Sequence, residues 1–434
     1  MDIVSYLLGK KSGGGGSNDK FRKLLTKTIT ELTEDDFEGD TSIPSYACAA
    51  CRELTKVNIP ETVTSIGDNA FTYCIKLVEL TIPETVESIG TSAFNGIAAK
   101  RLRIPKNVKT IRTSAFVNCK NVEEIYYDAL SIPDFVKTDK VFGNIGENTD
   151  GAKIIVGKNV TYIPEYLFYN NYTGYQKGNI RTIVFETPVK SMGAHWLEGH
   201  PIEEVYYPSL EDWLNIHFVL GSASPLFGKT GNRAKLYINN VLLSELNDFN
   251  IPNSINAISE YAFYNCGSLT SIHIPYRVAS VGPRSFYGCS SLITATLENG
   301  EFLQDYIFGS CTSLTTVHIG SGYETTASVP FQSCKNLTNL TILDIKASLQ
   351  VGSGTSYGHK LTIESLLGLV AECVKGLNCT LTVGSDNTAK LAQVYVKLTE
   401  DDGSGKLPFE QCESTDEGAL SVSDYLALKN WTIA

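Results

Sequence analysis

The sequence has no surplus of positive charge. Its 36 Lys and Arg stand against 47 Asp and Glu, for a formal net charge of −11. Sequence-independent nucleic-acid binding needs cations to displace counterions from phosphates, so it is excluded as a main activity. Docking onto anionic lipid is excluded on the same ground. Long apolar runs are also missing; none approaches the ~20 residues that span a bilayer. The opening stretch, MDIVSYLLGKKSGGGG, is not a secretory leader. Its apolar part is brief, Asp2 precedes that part, and Lys10-Lys11 follow it instead of leading it. Nothing at the C-terminus reads as an anchor. The expected location is a virion or extracellular surface reached without a leader, with the cytoplasm as the alternative. No H-E-x-x-H and no G-x-x-x-x-G-K-[ST] string occurs. The chain is therefore read as a non-enzyme that needs no cofactor.

What the chain has in abundance is repetition. Residues 59–83 read I-P-E-T-V-T-S-I-G-D-N-A-F-T-Y-C-I-K-L-V-E-L-T-I-P, opening and closing on the same Ile-Pro pair. Seven of the 11 cysteines, Cys51, Cys74, Cys119, Cys266, Cys289, Cys311 and Cys334, mark one position of this unit. Cys51 and Cys74 lie 23 residues apart, as do Cys266 and Cys289, while Cys289 and Cys311 lie 22 apart. Cys119 follows Cys74 by 45 residues, two periods, with Ile97 standing between them. A fixed period of this size means a solenoid, in which each repeat buries its apolar face only against its neighbours. The cysteines are read as small, buried, reduced core residues. A composition of 42% hydrophobic and 19% charged residues fits an ordered chain.

The period has a physical explanation. In Leu77-x-x-Leu80-x-Ile82-Pro83, alternation puts Leu80 and Ile82 on one face of a short strand, and the proline ends it. Val63 and Ile66 turn inward on the return path, Gly67 permits a corner, and Ala70, Phe71 and Cys74 close the loop. Each rung then buries about six apolar side chains, at ~1.5–3 kcal/mol each before conformational entropy is subtracted. Rungs stack in parallel at ~4.8 Å.

The pattern I-P-x-x-V-x-x-I-G-x-x-A-F-x-x-C-x-x-L-x-x-L-x-I-P resembles the repeat of the BspA-like leucine-rich repeat family of bacterial surface proteins. It differs from the commoner leucine-rich pattern in carrying Pro where that pattern has Asn. The resemblance covers residues 41–343 and implies an α/β solenoid. This would be a right-handed leucine-rich-repeat superhelix with short parallel strands on one face, closed by a small α/β C-terminal cap. It also implies adhesion and protein binding at surfaces, with no catalytic residues to carry over. The head, Met1-Asp2-Ile3-Val4 with its Gly-rich run, and the tail, residues 361–367 through 429–434, resemble ends seen on such repeats in phage and prophage proteins of gut Firmicutes.

The expected organisation follows. Residues 1–17 are a short helix over 1–11 and a flexible Gly-rich linker, and 1–11 are a candidate attachment to a virion. Residues 18–40 are an N-terminal cap. Residues 41–350 are the solenoid of roughly ten or eleven rungs, with insertions near 128–151 and 208–232. A degenerate copy with Val160, Ile163, Leu167, Phe168, Ile180, Ile183 and Phe185 lies between the insertions. Residues 351–434 are a C-terminal cap, with a helix over 363–374, a strand near 380–383 and a helix over 422–429. A separate small binding domain is the alternative for this last part.

Asn58, Thr81, Arg103, Tyr126, Tyr206, His273, Thr296 and His318 occupy one outward strand position and form the candidate ligand-binding row. Aromatic residues and arginine are favoured anchors at protein interfaces. The partner expected from this mixed polarity is a surface protein or glycan of a host cell. A solvated sheet face is the bland alternative. His273 and His318 do not form a metal site, because two rungs separate them by ~10 Å and zinc bonds are ~2.0 Å long. Cys48-Ala49-Ala50-Cys51 falls on core positions and lacks the second ligand pair of a zinc site or the strand-to-helix setting of a redox motif. Trp196, Trp213 and Tyr207 are read as packing residues of the irregular centre, with sugar stacking as the alternative. Glu34-Asp35-Asp36 and Glu400-Asp401-Asp402 read as local turn or cap sequences, not as an acid–base pair. Asp401 to Gly405 lacks the bidentate Glu of a calcium loop. The alternatives to a binding solenoid are a hydrolase or other enzyme with a site in an insertion, and a structural spacer.

Overall fold

The computed structural model describes residues 29–434, apart from 38, 171–177, 228–233, 248–249, 303, 323–329, 344, 346–348, 353–360, 373–378, 384, 399–408, 417–418, 430 and 434. The expected head helix, Gly-rich linker and Asp401–Gly405 turn lie outside the described residues. The chain divides into two compact units, Met1–Asp212 with Ile216–Asn240, and Trp213–Asn215 with Val241–Ala434.

In the first unit each repeat lays one strand beside the next, in parallel. Six consecutive strands, Arg101–Ile104, Glu124–Tyr127, Ala152–Val156, Ile180–Phe185, Glu204–Tyr207 and Lys235–Ile238, form one ladder. Glu31–Leu32, Lys56–Asn58 and Glu79–Thr81 form another. The return path carries its own ladder of two-residue strands, Ser42–Ile43, Ser65–Ile66, Ser88–Ile89 and Thr110–Ile111, which the sequence reading did not foresee. Its register, Ser42 against Ser65 and Ile43 against Ile66, matches the 23-residue offset read from the sequence. The second unit repeats the plan with Glu245–Leu246, Ser271–Ile274, Thr294–Leu297, Thr316–Ile319 and Asn339–Ile342. Both units are thus parallel-strand solenoids. Helix is scarcer than an α/β label suggests. Among the described residues, α-helix is confined to Leu210–Leu214, Ile363–Glu372, Ser385–Leu391 and Val422–Leu428.

Turns replace helix because the loop around Phe needs two left-handed residues per rung. Asn69 (φ 55) and Tyr73 (φ 56) flank Ala70-Phe71, as Tyr261 (φ 62) and Asn265 (φ 61) flank Ala262-Phe263. This bends the chain so that Phe71 N–H donates to Ala93 O at 2.8 Å and Tyr73 N–H to Asn95 O at 2.7 Å, one rung on. Gly67 is required for a different reason than the expected corner. A Cβ there would sit 2.5 Å from the Ser45 backbone nitrogen of the preceding rung, so only glycine lets the rungs approach.

Inside, like residues stack on like. The Phe71, Phe94, Phe116 and Phe142 rings run face to face at 5.4, 5.3 and 5.1 Å between centroids. Phe263, Phe286, Phe308 and Phe331 do the same in the second unit at 5.5, 5.9 and 5.9 Å. Phe142 belongs to the segment expected as an insertion, so this segment supplies a rung of the spine. The repeat cysteines are buried except for the half-buried Cys51, and several also hydrogen-bond. The thiols of Cys119, Cys289, Cys311 and Cys334 reach the carbonyls of Phe94, Phe263, Phe286 and Phe308 in the preceding rung, at 2.9–3.3 Å. Cys74 reaches Cys48 O at 3.1 Å, because Cys48 holds the Phe position of its rung. Ile82 faces inward as expected, but Leu80 is only half-buried, whereas its neighbours Val57 and Leu102 are fully buried.

Beyond the last solenoid strand, helix Ile363–Glu372 covers the edge of Asn339–Ile342. Thr362 N–H donates to Thr338 O at 2.9 Å, and Leu340 N–H donates to Ser365 Oγ at 3.2 Å. An open strand edge is thereby satisfied. The buried Lys429 ammonium donates to Ala371 O at 2.8 Å and Val370 O at 3.3 Å, neutralising the negative end of that helix. Of the apolar positions 363, 366, 367, 370 and 374 that the sequence sets on one stripe, Leu366 and Val370 are buried as expected, Ile363 is exposed, and Leu369 is buried as well. The antiparallel strands Tyr395–Leu398 and Phe409–Cys412 and helix Ser385–Leu391 were not anticipated.

If the ring stack holds the rungs in register, Phe116→Ala, which empties a site between two stacked rings, should lower unfolding free energy by ~3–5 kcal/mol. Denaturant titration followed by circular dichroism measures this. A loss below ~1 kcal/mol would mean that the backbone ladder alone carries the register.

Candidate functional site

In the six-stranded ladder, alternate residues point outward. One outward row runs Arg103, Tyr126, Ile155, Val184, Tyr206, Tyr237. Arg103 is exposed and the other five are half-buried. A parallel row, two residues earlier on each strand, runs Arg101, Glu124, Lys153, Thr182, Glu204, Lys235, alternating in sign except at Thr182. The result is an apolar and aromatic stripe with a charged border.

The stripe is internally braced. The Arg103 guanidinium lies 5.0 Å from the centroid of the Tyr126 ring, with Nη2 2.8 Å from Glu84 Oε1 and 3.6 Å from Asp128 Oδ2. Tyr126 donates its hydroxyl to Glu186 Oε2 at 2.6 Å. Partial burial and that carboxylate push the Tyr126 phenol up to about 12. Tyr206 and Tyr237 stack with centroids 4.5 Å apart and planes 11° apart, and both hydroxyls donate to the Glu204 carboxylate. Burial and Glu204 push the Tyr206 phenol to about 12 as well. These phenols stay neutral, and their rings are held by partners instead of swinging freely.

The eight residues of the predicted row fall on three ladders. Asn58 pairs with Thr81 on the three-stranded one, and Arg103, Tyr126 and Tyr206 share the six-stranded one. His273, Thr296 and His318 lie side by side in the second unit, followed by Thr341. Thr296 does stand between the two imidazoles. His273 Nε2 is 2.7 Å from Glu298 Oε1, and Glu298 Oε2 accepts from Tyr276 N–H at 2.6 Å. The Tyr276 amide and the His273 ring hold the Glu298 carboxyl below its ordinary value. The sequence reading missed Ile155, Val184 and Tyr237. Their copies lack the Ile-Pro and Cys markers, although Glu203-Glu204-Val205-Tyr206-Tyr207 offered a template for the alternation.

The packing readings hold for the large aromatics. Trp196, Trp213 and Tyr207 are buried; Trp196 Nε1 donates to Ala223 O at 2.9 Å and Trp213 Nε1 to Ala262 O at 3.0 Å. Tyr207 OH accepts from Val189 N–H at 2.9 Å. Among the described residues no group of three or more His, Cys, Asp or Glu is placed to hold a metal ion, and no helix is long and apolar enough to cross a membrane. Glu34–Phe37 is a single 3-10 turn, capped by Thr33 N–H donating to Asp36 Oδ2 at 2.8 Å. The sequence does contain one G-x-S-x-G string that the reading passed over, Gly354-Thr355-Ser356-Tyr357-Gly358, and it lies outside the described residues.

His200 is the most strongly perturbed imidazole. It is fully buried, its Nε2 is 2.7 Å from Phe168 O, and its Nδ1 accepts from Ile180 N–H at 3.2 Å. Burial depresses it from 6.5 to about 4. A perturbed histidine in a cleft suggests chemistry, but here both ring nitrogens bond backbone groups of the preceding rung, which is a structural role.

Residues 41–174, 138–218 and 242–353 match the profile of the BspA type leucine rich repeat region, in six copies. Comparison with curated proteins gives no match. Among solved structures, a leucine-rich repeat protein from Bacteroides ovatus is 20% identical, with 74% of this chain and 86% of that chain covered and a TM-score of 0.35. A leucine rich cell surface protein from Faecalibacterium prausnitzii is 23% identical over 69% of this chain and 62% of its own, at 0.24. A leucine-rich repeat protein from Eubacterium ventriosum is 18% identical over 80% of each, at 0.23.

The His200 environment makes a pH prediction. Its folded value lies below its unfolded one, so the unfolded chain binds more protons between pH 6.5 and 4. Stability contributed by neutral His200 is therefore complete above pH 6.5 and lost as pH falls toward 4, by on the order of 2–3 kcal/mol. Thermal melts across this window should show that decline. In His200→Gln this part of the slope should vanish, and an unchanged slope would assign the acid sensitivity elsewhere.

Proposed function

The chain belongs to the BspA-type leucine-rich repeat family, and from that premise we propose that it is a non-enzymatic binding protein acting at a cell or virion surface. The observation that supports this reading best is the outward stripe Arg103, Tyr126, Ile155, Val184, Tyr206 and Tyr237 on the six-stranded ladder. It joins the residue types that dominate interface energetics to side chains already immobilised by neighbours, so little rotamer entropy is lost on binding. The partner class is a surface protein or glycan of a host cell. The Asn58–Thr81 and His273–Thr296–His318 positions, each set on its own ladder, offer outward groups of polar, hydrogen-bonding character. The surface location named for the Faecalibacterium protein agrees with this reading. In the finer version, residues 1–11 hold the chain on a phage particle.

A screen of host-cell surface proteins and a glycan array against the full chain identifies the partner. Tyr126→Ala and Tyr206→Ala should each weaken binding by about tenfold or more. Lys109→Ala, on the return-path ladder, should leave it unchanged. If the tyrosine variants bind normally while Lys109→Ala does not, the binding face is the return path. For the particle-bound version, deletion of residues 1–17 should abolish incorporation into particles, and normal incorporation rejects it.

A further inference from the structure

The first rung departs from the others at one point. In every other Cys-marked rung the residue three positions before the cysteine is phenylalanine: Phe71, Phe116, Phe263, Phe286, Phe308 and Phe331. In the first rung it is Cys48, so the spine position and the marker position both carry thiols, in the order Cys48-Ala49-Ala50-Cys51. Cys51 N–H donates to Cys48 O at 3.2 Å, closing a tight turn with Ala50 in the left-handed region (φ 59). Four-residue turns of this kind bring their end Cα atoms within ~7 Å, in the neighbourhood of the ~4.4–6.8 Å that a disulfide spans. The two thiols thus stand at the two ends of one turn.

Solvent access separates this pair from the rest. Cys74, Cys119, Cys266, Cys289, Cys311 and Cys334 are fully buried, and Cys48 nearly so. Cys51 is the one partly exposed thiol among the eight cysteines whose side chains are described. The neighbouring Cys48 thiol draws the Cys51 pKa down, while that same neighbour and burial push Cys48 up. Burial raises Cys74 and Cys119. A half-exposed thiol of lowered pKa beside a buried partner thiol is the arrangement of an attacking and a resolving cysteine.

We propose that Cys48 and Cys51 form a dithiol that is oxidised to an intra-turn disulfide by hydrogen peroxide, with Cys51 as the attacking group. The Cys51 thiolate attacks one peroxide oxygen. An S–O bond forms, the O–O bond breaks, and the leaving hydroxide takes up a proton as water. The Cys48 sulfur then attacks the resulting sulfenic acid. The S–S bond forms, the S–O bond breaks, and hydroxide leaves with the Cys48 proton as a second water. Two thiols are oxidised by two electrons and one peroxide becomes two waters. The other cysteines of the spine take no part, because their sulfurs are sealed; five of them bond a carbonyl of the preceding rung, and Cys266 pairs with the Ser268 hydroxyl at 3.3 Å.

The test uses the full chain, reduced, freed of reductant, and treated with graded hydrogen peroxide before residual thiols are alkylated. Trypsin places Cys48 and Cys51 together on residues 28–52 and Cys74 on residues 57–76. Peptide 28–52 should lose two hydrogens and escape alkylation at doses about tenfold below those that touch Cys74, Cys119 or Cys289. In Cys48→Ser, Cys51 should stop at a sulfenic acid that dimedone captures, whereas in Cys51→Ser, Cys48 should remain reduced. A cross-link between peptides 28–52 and 57–76 would overturn the assignment in favour of Cys51–Cys74. Oxidation of Cys48 and Cys51 at the same dose as the buried cysteines would overturn the special reactivity. Mapping of the unmodified chain decides both points even if a variant fails to fold.

Discussion

Everything in this molecule depends on each rung finding the next in one register. A single rung has no interior of its own, since Val63, Ile66, Phe71, Cys74 and Leu77 are buried only when a copy lies on each side. Three sets of interactions impose the same offset. Strand ladders pair Leu102 with Ile125 and Ile43 with Ile66, aromatic rings stack from Phe71 to Phe142, and thiols reach back to the carbonyl of the preceding spine residue. A slip of one residue would break all three sets together, so the fold is specific although its parts are nearly identical.

That redundancy explains how much was legible beforehand. The spacing of Cys51, Cys74, Cys266, Cys289, Cys311 and Cys334 and the recurrent Ile-Pro gave period, direction and core, because each marker reports a position that stacking forces to recur. The 23-residue offset between Cys51 and Cys74 reappears as strand register, Ser42 against Ser65 and Ile43 against Ile66. The return-path ladder was not legible, because a two-residue strand such as Ser65–Ile66 has no alternation to detect. The true role of Gly67 was hidden too, since a close approach to Ser45 is a contact between residues distant in sequence. The thiol-to-carbonyl bonds were missed because cysteine was treated as a small hydrophobe. Its weak S–H donor becomes directional only once a carbonyl is fixed in front of it.

The candidate site was legible in part. Arg103, Tyr126 and Tyr206 could be placed on one outward row because strand alternation is simple arithmetic. The row's continuity through Ile155, Val184 and Tyr237 was obscured where the repeat degenerates. There the segment after Tyr127 looked irregular, yet Phe142 supplies a ring to the spine and Val141 O accepts from Phe116 N–H at 2.9 Å. Sequence regularity is thus a sufficient sign of a rung but not a necessary one; a rung needs a ring, a turn and a strand of the right polarity.

The alternating charged border bears on how such a protein changes length over generations. Outside that border, ion pairs also join neighbouring rungs: Glu31 with Lys56, Glu53 with Lys76, Glu87 with Lys109, Lys100 with Glu123, and Arg181 with Glu203. Exposed pairs of this kind contribute little individually. Unequal recombination that removed the rung of Glu124, however, would bring Arg101 alongside Lys153, and like charges directly opposite are unfavourable. Loss of the Glu124 and Lys153 rungs together would bring Arg101 alongside Thr182 instead, with no such conflict. The border therefore penalises loss of the Glu124 rung alone and tolerates its loss together with the next, a constraint written in charge on an array that its core alone would let shorten by any number.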